Sequence, residues 1–251
     1  MRSPELERYA ELNSPVHNWD PRVKIISCII FLCTIAATGK PSSALAALFA
    51  TSALVIISRI PLGFVLGQVK YVIYFLLPLC VIILFSYQEG PVLAKVAFLT
   101  VTEGGCEKAA LLFLRPLAMV LLIFPMLGTM RFDQAINAME SIKVPSNLLQ
   151  VFAFTYRYIF VLIDEIRRMQ RAQAARCFQN KLSLSFLRTM GMFIGMIFIR
   201  AHERAERVIR AMLSRGYDGK TKVLHQFNIH PSDLAKALLL VSVGIAILLI
   251  P

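Results

Sequence analysis

The chain has 251 residues, of which 57% are hydrophobic, and it carries a net charge of +12 at pH 7. Soluble globular domains are roughly 45–50% apolar, so this composition excludes an ordinary soluble domain and predicts a membrane protein. The five cysteines include no Cys-x-x-Cys pair, which excludes the usual disulfide and zinc frameworks.

Five apolar runs approach the roughly 20 residues that a helix needs to cross a bilayer. Helices satisfy their backbone hydrogen bonds internally, as lipid requires, so we expect an all-α membrane protein. Residues 1–20 are polar and have no small-residue cleavage site, and we expect them to be retained rather than removed as a signal peptide. The predicted spans are 23–39, 43–58, 71–87, 109–128 and 234–250.

The distribution of positive charge predicts the orientation. If the N-terminus lies inside, the inner segments 1–24, 59–70 and 131–236 hold 23 of the 27 lysines and arginines. The positive-inside rule favours this topology, and a basic face also attracts anionic membrane lipid. We therefore expect a membrane domain at 1–130, a cytoplasmic domain at 131–233 and a final transmembrane helix at 234–251.

The cytoplasmic domain is predicted to begin with a short helix at 133–142, followed by a long helix that runs from apolar to charged. The long helix starts after Pro145, with Ser146 or Asn147 as its N-cap. We expect it to continue to Asn180, with its charged half towards the C-terminus.

A second long helix of the same design is predicted from about Leu184 to Arg215. Gly216 provides its stop, because glycine adopts a left-handed conformation without steric cost. Gly191 and Gly195 stand four residues apart, a spacing that lets another helix approach closely. We expect the two long helices to cross there, with their apolar halves against the membrane domain and their basic ends in the cytoplasm.

Acid–base pairs four residues apart are expected to support both long helices. They are read as helix support rather than as partner contacts. The predicted pairs are Asp164 with Arg168, Glu203 with Arg207 and Glu206 with Arg210.

Arg115 is a charge inside the fourth predicted span. An arginine at the middle of a membrane costs at least ~2.5 kcal/mol, so its side chain must face protein, water or a lipid head group. Pro116 follows it and frees a backbone carbonyl. We therefore favour an arginine satisfied within this chain over one that contacts another subunit.

Three segments resemble the transmembrane T component of energy-coupling factor transporters, in particular the CbiQ-type proteins of cobalt uptake systems. The resemblance implies about five transmembrane helices plus three cytoplasmic coupling helices, two of them long and crossed. It covers nearly the whole chain, and the segments that carry it are His17–Lys24, Phe154–Tyr158 followed by Asp164–Met169, and His202–Val208 through Ala211–Gly219.

In that family, Ala-Arg-Gly-like motifs at the ends of the crossed helices bind grooves on two cytoplasmic ATP-binding cassette ATPase subunits. Cys177 stands where the first motif has glycine, and Ser214 where the second has alanine. The further partners implied are a CbiM-like substrate-binding membrane subunit and a small accessory membrane subunit. The matching residues here are Ala175, Arg176, Cys177, Ser214, Arg215 and Gly216.

Motifs for catalysis are absent from the sequence: there is no GxxxxGK[ST], HExxH or GxSxG. We expect a coupling subunit without enzymatic activity, cofactor, metal site or nucleic-acid partner, and ATP hydrolysis in partner subunits. Cobalt follows from the resemblance, while nickel or a vitamin stays open. A stand-alone secondary transporter would need paired ionisable residues within repeated spans, and an intramembrane enzyme would need convergent catalytic groups. The four histidines form no cluster: His17, His202, His225 and His230.

Overall fold

The computed structural model describes residues 14–17, 19–87, 91–96, 99–142, 144–176, 183–219 and 231–249. Within these residues the all-α membrane class is confirmed, with one small antiparallel hairpin of two strands that the sequence did not predict. The elements in chain order are α1 (Pro21–Ala37), α2 (Pro41–Ile57), α3 (Leu62–Ser86), β1 (Val92–Val96), β2 (Leu99–Thr102), α4 (Glu103–Leu127), α5 (Phe132–Ser141), α6 (Ser146–Ala175), α7 (Leu184–Leu213) and α8 (Pro231–Leu248).

Five of the described helices are long and apolar enough to cross a membrane, namely α3, α4, α6, α7 and α8. Their number agrees with the five predicted spans, but α6 and α7 are among them in place of α1 and α2. Helices α1 and α2 have 17 residues each, about 26 Å at 1.5 Å per residue, which is the lower limit for a span. Helices α6 and α7 reach 30 residues each because their apolar halves continue directly into charged ones.

Helices α3 and α4 both begin earlier than the spans predicted at 71–87 and 109–128. Val65, in the first turn of α3, is buried in one cluster with Phe124 of α4, so tertiary packing orders a segment that hydropathy assigned to a loop. Thr102 caps α4 by accepting a hydrogen bond from a backbone N–H of the first turn at 3.2 Å. The helix therefore starts at the cap rather than at the apolar run.

The starts of α5 and α6 lie close to their predicted positions. Helix α5 is displaced by one residue from the predicted 133–142. The cap of α6 at Ser146 or Asn147 was wrong, because the N-cap residue is Pro145. Its carbonyl already accepts the backbone N–H of Leu148 at 3.0 Å, which places Ser146 inside the first turn.

The described residues form two compact units. The membrane unit contains α1 to α5, the hairpin and α8, and the helix-pair unit contains α6 and α7. Helix α5 belongs to the membrane unit because Ala138 is fully buried beside Ile25 and Met130. Within the described residues, the first division between the two compact units follows Ser141.

The core of the membrane unit lies between α1, α2, α4 and α8. Gly244 of α8 permits a close approach to α1, since a Cβ there would lie 3.0 Å from the ring of Phe31 and 2.8 Å from the hydroxyl of Thr34. Burial of the apolar side chains in this core is the main contribution to its stability. Its central members are Phe31, Ile35, Ala47, Ala118, Leu122, Leu240 and Ile247.

Lys24, near the start of α1, is only 1% exposed. Its Nζ donates to the carbonyl of Val16 at 3.1 Å and to the hydroxyl of Thr129. The Thr129 hydroxyl in turn donates to the carbonyl of Pro125 at 2.6 Å. A buried charge is costly unless it is hydrogen-bonded. The two hydrogen bonds of this ammonium therefore stabilise it and connect α1 to the N-terminal segment and to the residues after α4.

Candidate partner-binding ends of the helix pair

The first predicted motif lies at the end of α6. Arg176 is the C-cap residue, with φ −90° and ψ 17°, and its backbone N–H donates to the carbonyl of Gln173 at 3.1 Å. Helix α6 ends at Ala175, and residues 177–180 of its predicted continuation lie outside the described residues. Cys177 lies outside the described residues.

The second predicted motif closes α7 with a Schellman motif. The N–H of Gly216 bonds the carbonyl of Leu213 at 3.0 Å, and the N–H of Tyr217 bonds that of Met212 at 3.1 Å. Gly216 has a φ of +80°, which confirms its predicted role as the stop. Arg215 is therefore held on the last turn by a fixed backbone geometry.

The side chains of Arg176 and Arg215 are exposed, and we call these two residues the arginine tips. Among the residues that the structure describes, neither guanidinium has a hydrogen-bond or ion-pair partner. A planar guanidinium offers five donors in a fork that fits a carboxylate bidentately. Each tip thus presents a free fork at the end of a helix.

Contacts between α6 and α7 show that the two helices run antiparallel. Glu165 of α6 forms an ion pair with Arg200 of α7. Gln150, near the start of α6, donates from its amide to the hydroxyl of Tyr217, just beyond the end of α7. Residue numbers therefore rise along one helix as they fall along the other, and the arginine tips lie at opposite ends of the pair.

The crossing of the two helices lies around Glu165 and does not involve the predicted glycines. Among the described residues, no atom of another element lies within 4 Å of a Cβ built on Gly191 or Gly195. Charged and aromatic side chains meet at the crossing instead, with the ion pair of Glu165 and Arg200 at its centre. A cavity of about 100 Å³ beside them is lined by Tyr158, Leu162, Ala201, Arg204, Ala205 and Val208.

Two of the three predicted intrahelical pairs are confirmed. The pair of Asp164 with Arg168 was wrong, because Asp164 lies 3.7 Å from Arg167. Arg168 turns to Glu165 at 3.5 Å, and the carboxylate of Glu165 also faces α7. The confirmed pairs are Glu203 with Arg207 at 3.9 Å and Glu206 with Arg210 at 3.2 Å.

The ion pair between Glu165 and Arg200 was not predicted from the sequence. Asp164 and Glu165 are the two acidic residues of α6 and they are adjacent. The sequence therefore indicates that α6 carries carboxylates at this level. It does not indicate which of the two faces another helix, because that depends on how the helices cross.

Comparison with known proteins places the chain in a family. The model of the CbiQ family, described as "Cobalt transport protein", matches residues 12–225, a range that includes both arginine tips and most of the membrane unit. The chain belongs to the CbiQ family. The resemblance inferred from the three sequence segments is thereby confirmed.

Relatives of this CbiQ-family chain match it over most of its length. It is 28% identical over 230 residues to the energy-coupling factor transporter transmembrane protein EcfT of Bacillus subtilis (strain 168), covering 87% of this chain and 86% of the relative. The protein of the same name from Streptococcus thermophilus is 27% identical over 228 residues, 86% of each chain. That from Limosilactobacillus fermentum is 27% identical over 221 residues, 84% of this chain and 82% of the relative.

Arg115 of the CbiQ-family chain faces protein. Its Nη2 donates to the carbonyl of Thr38, the C-cap residue of α1, which is 1% exposed. Lys24, at the other end of α1, contacts Thr129 just after α4. Because α1 has 17 residues and α4 has 25, the C-terminal end of α1 lies beside the middle of α4, where Arg115 is. The C-terminal end of a helix carries partial negative charge and favours a cation there.

Replacing Arg115 by leucine is expected to lower the free energy of unfolding by about 1–3 kcal/mol, because the buried carbonyl of Thr38 loses its donor. Arg115→Lys retains a cation with donors and should lose less. Thermal unfolding of the detergent-purified chain measures both, and co-purification with other subunits should be unaffected. Equal stability of the leucine variant and the unmutated chain would contradict this assignment.

Possible metal ligands are dispersed. Within the described part of the chain, no group of three or more His, Cys, Asp or Glu side chains is placed to hold a metal ion. His17 contacts the hydroxyl of Ser14 at 2.7 Å, and His202 lies 3.4 Å from the carboxylate of Glu206. The other two histidines, at 225 and 230, lie outside the described residues.

Proposed function

We propose that this CbiQ-family chain is the non-catalytic transmembrane coupling subunit of an ATP-driven energy-coupling factor importer. The observation that carries the proposal is the pair of arginine tips, exposed and at opposite ends of one crossed helix pair. An isolated basic helix end would stabilise the helix dipole by only about 0.3–1 kcal/mol and would have no need of a second, separated copy. Two separated forks suit two partner molecules.

The partners at the tips are two ATP-binding cassette ATPase subunits, one at each end. Measured from the Glu165–Arg200 contact at 1.5 Å per residue, Arg176 lies about 16 Å along α6 and Arg215 about 22 Å along α7 in the other direction. This separation lets each tip enter a groove of a different subunit. The proposed docking residues are Ala175, Arg176, Cys177, Ser214, Arg215 and Gly216.

Transmission of the ATPase movement follows from the stiffness of helices. When the two ATPase subunits close, the distance between their grooves changes, and both anchored helix ends must follow. Packed helices carry small displacements as rigid elements. Movement at the tips therefore reaches the apolar halves of α6 and α7 at the other end of each helix.

The apolar halves of α6 and α7 suit contact with a substrate-binding membrane subunit and with lipid. Phe152 is 53% exposed and Phe198 is 73% exposed within this chain. Gly191 and Gly195 have open space beside them, which suits a close approach by a helix of that subunit. A small accessory membrane subunit completes the proposed assembly.

The proposed topology places the N-terminus and the basic ends of α6 and α7 in the cytoplasm, with the chain in the inner (plasma) membrane. The excess of lysine and arginine in the inner segments supports this orientation. The proposed cytoplasmic coupling domain is residues 131–233, which include the basic ends of α6 and α7. Helix α8 returns as the final span.

The proposed cargo is cobalt ion, in keeping with the description of the matching family. The names of the EcfT relatives specify no cargo, so the alternative cargo is nickel or a vitamin. Selection of the cargo belongs to the substrate-binding subunit, because a coupling subunit needs no site for it. ATP hydrolysis likewise belongs to the partners.

Purification from native membranes tests the proposal. The tagged chain should retain two nucleotide-binding subunits, recognisable by their phosphate-binding loops, and one further membrane protein. Proteoliposomes with the whole assembly should take up radioactive cobalt only with ATP. Uptake by this chain alone, without ATP, would support a stand-alone secondary transporter and contradict the coupling role.

A further inference from the structure

A charged cluster joins α6 directly to α7, about 22 Å along α6 from the hydrogen bond that Gln150 donates to Tyr217 beyond the end of α7. Glu165 has a side chain only 20% exposed, and its carboxylate forms an ion pair with Arg200 of the other helix. Arg168 of its own helix lies 3.5 Å from the same carboxylate. One carboxylate thus holds a guanidinium from each helix.

A second contact lies beside this cluster. The guanidinium carbon of Arg204 is 5.8 Å from the ring centroid of Tyr158, within the range of a cation–π interaction. The cavity of about 100 Å³ adjoins the same two side chains. At the crossing the two helices therefore meet through a few polar side chains with unfilled space next to them, in contrast to a tightly packed helix interface.

We propose that Glu165 and Arg200 are positioning residues that form the pivot of the helix pair, an inference that rests on the coupling function proposed above. At 1.5 Å per residue, Arg176 lies about 16 Å from Glu165, and Ser146 lies about 28 Å away in the other direction. A rigid α6 that turns about Glu165 therefore moves its apolar end further than its tip. The ion pair specifies which turns of the two helices meet, a register role that such pairs can have.

A fixed pivot is required for coupling because two helices that slide past each other absorb movement at the tips. Without the ion pair, the ATPase subunits should still close, but the apolar halves of α6 and α7 should move less in response. The pair of Glu203 with Arg207 is a matched control, since it has the same residue types, lies 3.9 Å apart and joins two turns of α7 only.

The assembled transporter in proteoliposomes provides the test, with ATP hydrolysed per ion imported as the readout. Glu165→Gln and Arg200→Gln should each raise this ratio at least about fivefold. The double variant should raise it no further than the larger single effect, because the two residues act as one unit. Glu203→Gln and Arg207→Gln should stay within about twofold of the unmutated ratio.

Unchanged ratios in the two single variants, or effects that multiply in the double variant, would overturn the pivot. Failure of the unmutated chain to retain ATPase subunits is a separate outcome, which would overturn the proposed function itself. Retained subunits and ATP-dependent uptake with unchanged ratios would leave the coupling function in place and reject only the pivot.

Cross-linking in intact membranes tests the pivot without purification. Leu162 and Ala205 both line the cavity at the crossing, one on each helix. With cysteine at both positions, a short bis-maleimide should link α6 to α7 readily when Glu165 is present. Glu165→Gln should slow this link at least about fivefold. Equal rates at equal amounts of inserted chain would reject the pivot.

Discussion

Replacing either arginine tip by glutamate is expected to weaken ATPase binding by at least about 30-fold. A guanidinium docked in a partner's groove is desolvated, and removing such a charge costs about 2 kcal/mol or more, which corresponds to that factor. Arg176→Glu or Arg215→Glu should each release one ATPase subunit, and the double variant should lose ATP-dependent uptake. Affinity capture with a tagged chain, followed by an uptake assay, measures both effects.

Conservative and neighbouring variants show whether the fork itself matters. Arg176→Lys keeps the charge but loses the planar fork, so we expect an intermediate loss of ATPase binding. Arg171→Glu reverses an exposed charge earlier on α6 and should have a much smaller effect. Normal uptake by the double glutamate variant would remove both tips from the mechanism.

Lys24→Glu is expected to destabilise the membrane unit by about 3–5 kcal/mol, enough to prevent accumulation of folded chain. The ammonium of Lys24 is buried and donates to the carbonyl of Val16 and to the hydroxyl of Thr129. A carboxylate at that place would face two acceptors, and the Thr129 hydroxyl is already engaged as a donor to another carbonyl. Fluorescence-detected size exclusion of a tagged chain, with thermal unfolding of the surviving fraction, measures the loss.

Two variants separate the buried contact from a general effect of charge. Lys24→Met fills the same space without donors and should cost less, about 1–3 kcal/mol, because two acceptors remain unsatisfied. Lys40→Glu makes the same charge change at an exposed N-cap position, where a negative charge is favourable to the helix dipole. If Lys24→Glu unfolds at the same temperature as Lys40→Glu, the assigned role of Lys24 is wrong.

The spans illustrate how far hydropathy carries a prediction. Apolar runs located α1, α2 and α8 to within a few residues, because a sustained run is itself the requirement for lying in lipid. The same criterion started α3 too late, since its first turns mix apolar and polar residues and are ordered by packing against Phe124. Hydropathy likewise does not indicate that α5 packs against the membrane unit through the buried Ala138.

The candidate site shows the same division between local and tertiary information. Gly216 was identified as the stop of α7 because a left-handed residue is a local requirement. Gly191 and Gly195 were expected at the crossing because their spacing permits the close approach of another helix. That spacing does not determine which helix approaches. The crossing lies where Glu165 meets Arg200, which requires knowing how two separate helices are rotated about their axes.

By itself the sequence determined the membrane class, the five apolar runs, the family and the two arginine-bearing helix ends, because composition, hydropathy and helix stops act over a few neighbouring residues. Only the tertiary structure decided that α6 and α7 run antiparallel, that Arg115 satisfies the end of α1 and that Lys24 joins α1 to the end of α4. Each of these depends on contacts between residues far apart in the chain. Side-chain spacing along one helix gives the face on which a residue lies, whereas packing between elements decides what that face meets.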